Sequence, residues 1–111
     1  MCLSASLRDY ARIGLFALGG GKGVVPDGWF ADATRAWSPL PNGRGYGYQW
    51  WVEPAGAYQA QGIFGQMIHV DPTRKLVIAM SGAWPRATGR DLSAARAAFI
   101  DAARAAVAAA P

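Results

Sequence analysis

From Ser6 to Leu18 the apolar positions recur at helical spacing, with Leu7, Tyr10, Ala11, Gly14, Leu15 and Leu18 on one stripe. Ser6 followed three residues later by Asp9 supplies an N-cap and an acidic first turn. Ile13 and Phe16 lie off the stripe, so the helix is expected to be covered by more than one neighbour. "GGGKG" at 19–23 stops it. "DGWFADATRAW" predicts a second helix of about three turns. "SPLPNGRGYG" reads as loop, with Asn42-Gly43 as its turn.

At Tyr46 the period changes to two. Tyr48, Trp50 and Val52 would face one side of a strand, and Gln49, Trp51 and Glu53 the other. Pro54-Ala55-Gly56 is a hairpin-length turn, and a second strand is expected from about Tyr58 through Phe64, continued by Met67–Val70. "DPTRK" at 71–75 is a tight turn, and "LVIAM" at 76–80 suits a strand covered on both faces. After the loop "SGAWPRATG", eleven alanines between Ala94 and Ala110 mark a long helix with Leu92, Ala95, Phe99, Ala102 and Ala106 on its stripe. The expected architecture is α+β: an antiparallel meander of about three strands flanked by N-terminal helices and a long C-terminal helix. At 111 residues the chain is read as one domain, with neither linker nor internal repeat.

Composition narrows the function classes. Apolar residues make up 52% and charged residues only 16%, a surplus that suggests some apolar surface belongs against a partner or another segment. The net charge of +4 comes from nine arginines and two lysines scattered without clustering or aromatic interleaving, which argues against nucleic-acid binding. Cys2 stands alone and is expected to be inert; His69 is the single histidine, so neither a disulfide nor a zinc site is expected, and no cofactor is. No apolar run reaches membrane-spanning length, and "MCLSASLRDY" lacks the layout of a secretory signal, so nothing in the chain assigns a compartment.

Familiar nucleophile motifs are absent. The chain has no Ser-x-x-Lys, Tyr-x-Asn, Lys-Thr-Gly or Gly-x-Ser-x-Gly. His69 beside Asp71 is expected to be structural, since no nucleophile lies near them in sequence. Asp9, Arg8 and Arg12 read as a solvated helix face. A different feature raises the chemical question: Gly62 and Gly65 bracket Ile63 and Phe64 within an otherwise strand-like stretch. Interior glycines weaken a strand and usually mark a bulge or a close approach to the backbone.

The ordered series "SLRDYARIG", "GWFADATR", "YGYQWWV", "GIFGQ" and "VDPTRKLVIAM", followed by the amphipathic helix, resembles the C-terminal part of serine hydrolases of the β-lactamase/penicillin-binding-protein superfamily. In particular it resembles the branch of class C β-lactamases, esterases and 6-aminohexanoate-dimer hydrolases, over almost the whole chain. That resemblance implies a partial β-lactamase/transpeptidase-like fold, residues 1–111 forming a single partial domain. It also implies an acyl-enzyme reaction on a small-molecule amide or ester, with Ser-x-x-Lys and Tyr-x-Asn/Ser upstream of Met1. "QGIFGQ" is similar to the Gly-Ile-His-Gly-Gln of the amide-hydrolase branch, with Phe64 in place of the histidine.

By this resemblance the backbone N–H of Ile63 is the candidate second donor of the oxyanion hole, flanked by Gly62 and Gly65. Phe64, Gln66, Trp50 and Trp51 are candidate substrate contacts, one indole packing in the core and the other lining the cleft. The plain alternative for the glycine pair is a bulge where the C-terminal helix packs. For the chain as a whole, it is a catalytically inactive truncated product or an interaction module that self-associates through an exposed apolar face.

Overall fold

A computed structural model describes residues 3–111, so Cys2 lies outside the described residues. Helices α1 (Leu7–Leu18) and α2 (Trp29–Ala33) precede a sheet of β1 (Ser38–Pro39), β2 (Gly45–Tyr46), β3 (Trp51–Val52), β4 (Tyr58–Gln61), β5 (Met67–Asp71) and β6 (Leu76–Met80); helix α3 (Arg90–Ala109) follows. The sheet is an antiparallel meander in strict chain order, so the α+β class and the flanking helices are as expected, with six strands in place of about three.

Two differences account for the additional strands. "YGYQWWV" alternates but is not one strand: the chain reverses between Tyr46 and Trp51, which pair across the β2–β3 ladder. The Gly47 N–H bonds the Trp50 carbonyl at 2.8 Å, and the Tyr48 N–H bonds the Ala33 carbonyl at 2.8 Å. A Cβ on Gly47 would lie 2.1 Å from that same Ala33 oxygen, so glycine lets α2 seat on this turn. Tyr48, Trp50 and Val52 therefore do not share a strand face. The second correction falls at Gly62–Gly65, where the chain turns back instead of continuing; β4 and β5 are the two arms of a hairpin, with Gln61 opposite Met67.

Helix α1 begins at the expected cap, the Ser6 hydroxyl accepting from the Asp9 N–H at 3.2 Å and donating to Asp9 Oδ2 at 2.7 Å. Its inward side is made of small residues. A Cβ on Gly14 would fall 2.4 Å from Val77 Cγ1, so only glycine permits this distance from the sheet, and Ala17 beside it is buried. Leu7 and Leu15, assigned to the inner stripe by periodicity, are exposed. Asp9 and Arg12 pair at 2.6 Å on the solvated face. Helix α2 is shorter than the expected three turns.

Alternation along β4, β5 and β6 separates two chemistries. Tyr58, Ile68, Val70 and Val77 gather with Ala17, Leu18, Phe30 and Trp50 into the core under α1. Trp50 meets Tyr58 edge-on with ring centres 5.1 Å apart, and Phe30 lies 6.3 Å beyond. Gln59, Gln61, His69 and Asp71 point to the other face, toward α3. That polar face explains why α3 does not present the expected stripe: Ile100 is buried, Arg96 and Arg104 reach inward, and Phe99 is exposed.

Candidate active site at the β4–β5 turn

The ladder ends at Gln61 and Met67, and the Gly62 N–H closes the turn on the Gln66 carbonyl at 2.9 Å. Phe64 (φ 63°) and Gly65 (φ 94°) both adopt left-handed backbone. For an aromatic residue this conformation costs roughly 1–3 kcal/mol and persists only when its surroundings enforce it. The enforcement comes from the loop at 81–89. The Phe64 N–H donates to the Ala87 carbonyl at 3.0 Å, and the Trp84 N–H donates to the Phe64 carbonyl at 3.1 Å. A Cβ on Gly65 would lie 2.5 Å from Trp84 Nε1, and one on Gly82 would lie 2.3 Å from the Phe64 oxygen. Gly65 is thus required by a neighbouring loop. Gly62 has extended backbone (φ −102°), and a Cβ there would meet only the flexible Gln66 side chain, at 2.9 Å.

Ile63 stands at the start of the turn, beyond the β4–β5 ladder. Its N–H is part neither of the bond that closes the turn nor of those that clamp it, and its side chain is 62% exposed. Phe64 is 40% exposed and Gln66 is exposed. Gly62 and Gln66 border a shallow pocket of about 230 Å³ together with Tyr10, Ala60, Met67 and Ile68. Tyr10, Ala60 and Ile68 also border a second cavity of about 640 Å³, so the two form one trough beneath α1.

The two tryptophans part at this point. Trp50 lines the larger cavity with Ile13, Trp29, Tyr48 and Gln49, on the face that leads to Gly62. Trp51 lies on the opposite face, edge-on to Tyr46 at 4.8 Å, in a cavity of about 470 Å³ under α3. Tyr10, Trp29, Tyr48 and Gln49 are not among the site residues expected from the sequence. Tyr48 and Gln49 were hidden by the strand-like alternation that conceals the β2–β3 turn.

Behind the sheet the polar groups satisfy one another. Glu53 Oε1 accepts from Gln59 Nε2 at 2.7 Å, and Gln59 Oε1 lies 3.3 Å from His69 Nδ1. Arg104 reaches His69 Nε2 at 3.4 Å and Asp71 Oδ2 at 2.9 Å. This pattern fits a neutral imidazole that donates from Nδ1 to Gln59 and accepts at Nε2 from the guanidinium. Burial first, then the Arg104 charge, press the His69 pKa down to about 4, against smaller opposing effects of Asp71 and Asp101. Burial pushes the Asp71 carboxyl up, but its bonds from the Arg74 amide and from Arg104 and Arg74, with the Arg104 charge, outweigh that and hold it low. His69 and Asp71 are committed to α3 and belong to the packing of the fold, as expected.

Helices on both faces of an antiparallel meander, with a glycine-bracketed turn at one end, fit a β-lactamase-like fold. The family model described as Beta-lactamase matches residues 2–103, and the chain belongs to that family, within the serine hydrolase superfamily of β-lactamases and penicillin-binding proteins. No curated protein matches the chain.

Proposed function

We propose that this chain is the C-terminal part of a serine hydrolase that cleaves amide or ester bonds through an acyl-enzyme, in the branch of class C β-lactamases, esterases and 6-aminohexanoate-dimer hydrolases. An upstream serine, activated by its lysine, would attack the substrate carbonyl and expel an amine or alcohol; water would then release the acid. The carbonyl oxygen gains negative charge in both steps, and a fixed N–H about 2.7–3.1 Å away stabilises it. The Ile63 amide is the candidate donor. The observation that supports this role is its position: outside the ladder, at an exposed turn whose backbone is fixed by the loop carrying Trp84. Gly62, Phe64, Gly65 and Gln66 shape that turn, and Trp50 is the better wall candidate than Trp51 because it opens to the Gly62 side.

The test is a chimaera that places the chain behind the Ser-x-x-Lys-bearing half of a family esterase. Hydrolysis of p-nitrophenyl esters by the chimaera, with little or none by the chain alone, is the expected result. Comparable turnover by the purified chain alone would overturn the reading, because removing a nucleophile leaves only a small residual catalysis.

Exposed Leu7, Leu15, Phe16 and Val24 on and after α1 favour a second reading, self-association of an inactive product or module. Sedimentation of the isolated chain separates the two: a concentration-dependent dimer that persists in the chimaera supports the second.

A further inference from the structure

The trough beneath α1 combines size, lining and position in a way that points to one substrate class. Its larger part, about 640 Å³, lies within the roughly 300–1,000 Å³ typical of small-molecule sites. Trp29, Tyr48 and Trp50 supply aromatic walls, Ile13 and Ile68 aliphatic ones, and the Gln49 side chain is the amide group at that end. Along the length of the trough, through to Gly62 and Gln66, no lysine, arginine, histidine, aspartate or glutamate lines it among the described residues. The arginines cluster on the far side of the sheet, where Arg44, Arg96 and Arg104 border the α3 cavity. A ligand carboxylate placed in the trough would meet no cation, whereas on the α3 side it would meet Arg44 or Arg96. Flat aromatic or extended aliphatic groups, by contrast, would bury apolar area against rings preset by their own packing: Trp29 meets Tyr48 at 5.9 Å, and Trp50 meets Tyr58 at 5.1 Å.

We infer that the trough is the subsite for an uncharged aryl or long-chain group of an amide or ester, seated between Trp50 and Ile68 with its carbonyl toward Gly62, and that it rejects substrates carrying a carboxylate on that group. The inference rests on the hydrolase reading for its orientation. Binding needs no nucleophile, however, so it can be tested separately.

The experiment titrates the ¹⁵N-labelled 111-residue chain with 4-phenylbutyramide, butyramide and 4-(4-carboxyphenyl)butyramide, following the indole resonances. The expected result is saturable shifts at Trp29 and Trp50 but not Trp51, with intermolecular NOEs from the phenyl ring to Trp50 and the Ile68 methyls. Butyramide and the carboxylated probe should bind at least tenfold more weakly. Ala60→Phe, which fills the middle of the trough, should weaken 4-phenylbutyramide binding at least tenfold while leaving the Trp51 resonance in place. Saturable shifts at Trp51 instead, equal binding of the carboxylated probe, or no saturable shift would each overturn the inference. The NOEs in the unaltered chain decide the matter if Ala60→Phe does not fold. Absence of ester hydrolysis by the chimaera with binding intact would count against the hydrolase reading and leave the subsite standing.

Discussion

The guanidinium of Arg96 on α3 lies over the Trp84 indole, 5.1 Å from the ring centre, and donates from Nη2 to Gln61 Oε1 at 2.8 Å. One side chain therefore ties the last residue of β4 to the loop that clamps the β4–β5 turn. Burial lowers the Arg96 pKa, Glu53 counters it and Arg44 adds to it, so the charge is kept where it is costly. Arg96→Ala should lower unfolding stability by about 2 kcal/mol, from one charged hydrogen bond and one cation–π contact. Urea denaturation checks this, and Arg96→Lys should recover only part, because an ammonium cannot reproduce the planar stacking.

Gly65 bears on the same clamp. Its φ of 94° and the 2.5 Å approach of Trp84 Nε1 leave no room for a side chain. Gly65→Ala should cost about 2–3 kcal/mol, from left-handed strain together with displacement of the indole. Gly62→Ala should cost far less, since only the end of Gln66 must move. Equal losses in the two variants would show that the loop does not set the turn.

The backbone N–H of Ile63 can be deleted without rebuilding the turn. Gly62 has φ −102° and ψ 161°, the extended conformation that proline favours in the residue before it, and Ile63 opens a helical turn, where proline is tolerated. In the chimaera described above, Ile63→Pro should lower kcat by about 10²–10³-fold with an unchanged melting midpoint. An unaltered kcat would remove Ile63 from the oxyanion hole.

His69 predicts an acid-sensitive fold. Its pKa falls from 6.5 in the unfolded chain to about 4 in the folded one, so between these values the unfolded state binds more protons. Stability therefore rises with pH from about 4 to 6.5 and is lost on acidification through the same window, by about 3 kcal/mol in all. Below it, the depressed Asp71 pKa adds a further loss as that carboxylate protonates. Urea midpoints measured from pH 7 to pH 4 check the slope, and His69→Gln should flatten it.

The helices and the α+β class were legible because capping and periodicity are local: Ser6 with Asp9, three glycines after Leu18, and alanine density in α3 each act within a turn or two. The β2–β3 and β4–β5 reversals were not. Gln49 and Phe64 take left-handed backbone that their side chains do not advertise, and their reasons are tertiary: Ala33 bonding Tyr48, and Ala87 and Trp84 bonding Phe64. The orientation of α3 escaped for a related cause. Its inward arginines answer Gln61 and Asp71 from strands more than 30 residues earlier, a match that an apolar stripe cannot reveal. Of the candidate site, the glycine-bracketed turn was visible as an anomaly, whereas the trough is built from Tyr10, Trp29, Tyr48 and Trp50, which only the fold brings side by side.

The strict chain order of the sheet carries a consequence for how the molecule is made. Each strand bonds only its immediate predecessor and successor, so hairpins can zip one after another as the polypeptide emerges. Helix α1 is the exception, since Gly14 must wait for Ile68 and Val77. Helix α1, made before the sheet, completes its seat only once β5 and β6 are in place, and a newborn chain arrested before Leu76 would lack the Val77 side of that seat while Tyr58 and Val70 already offered the rest.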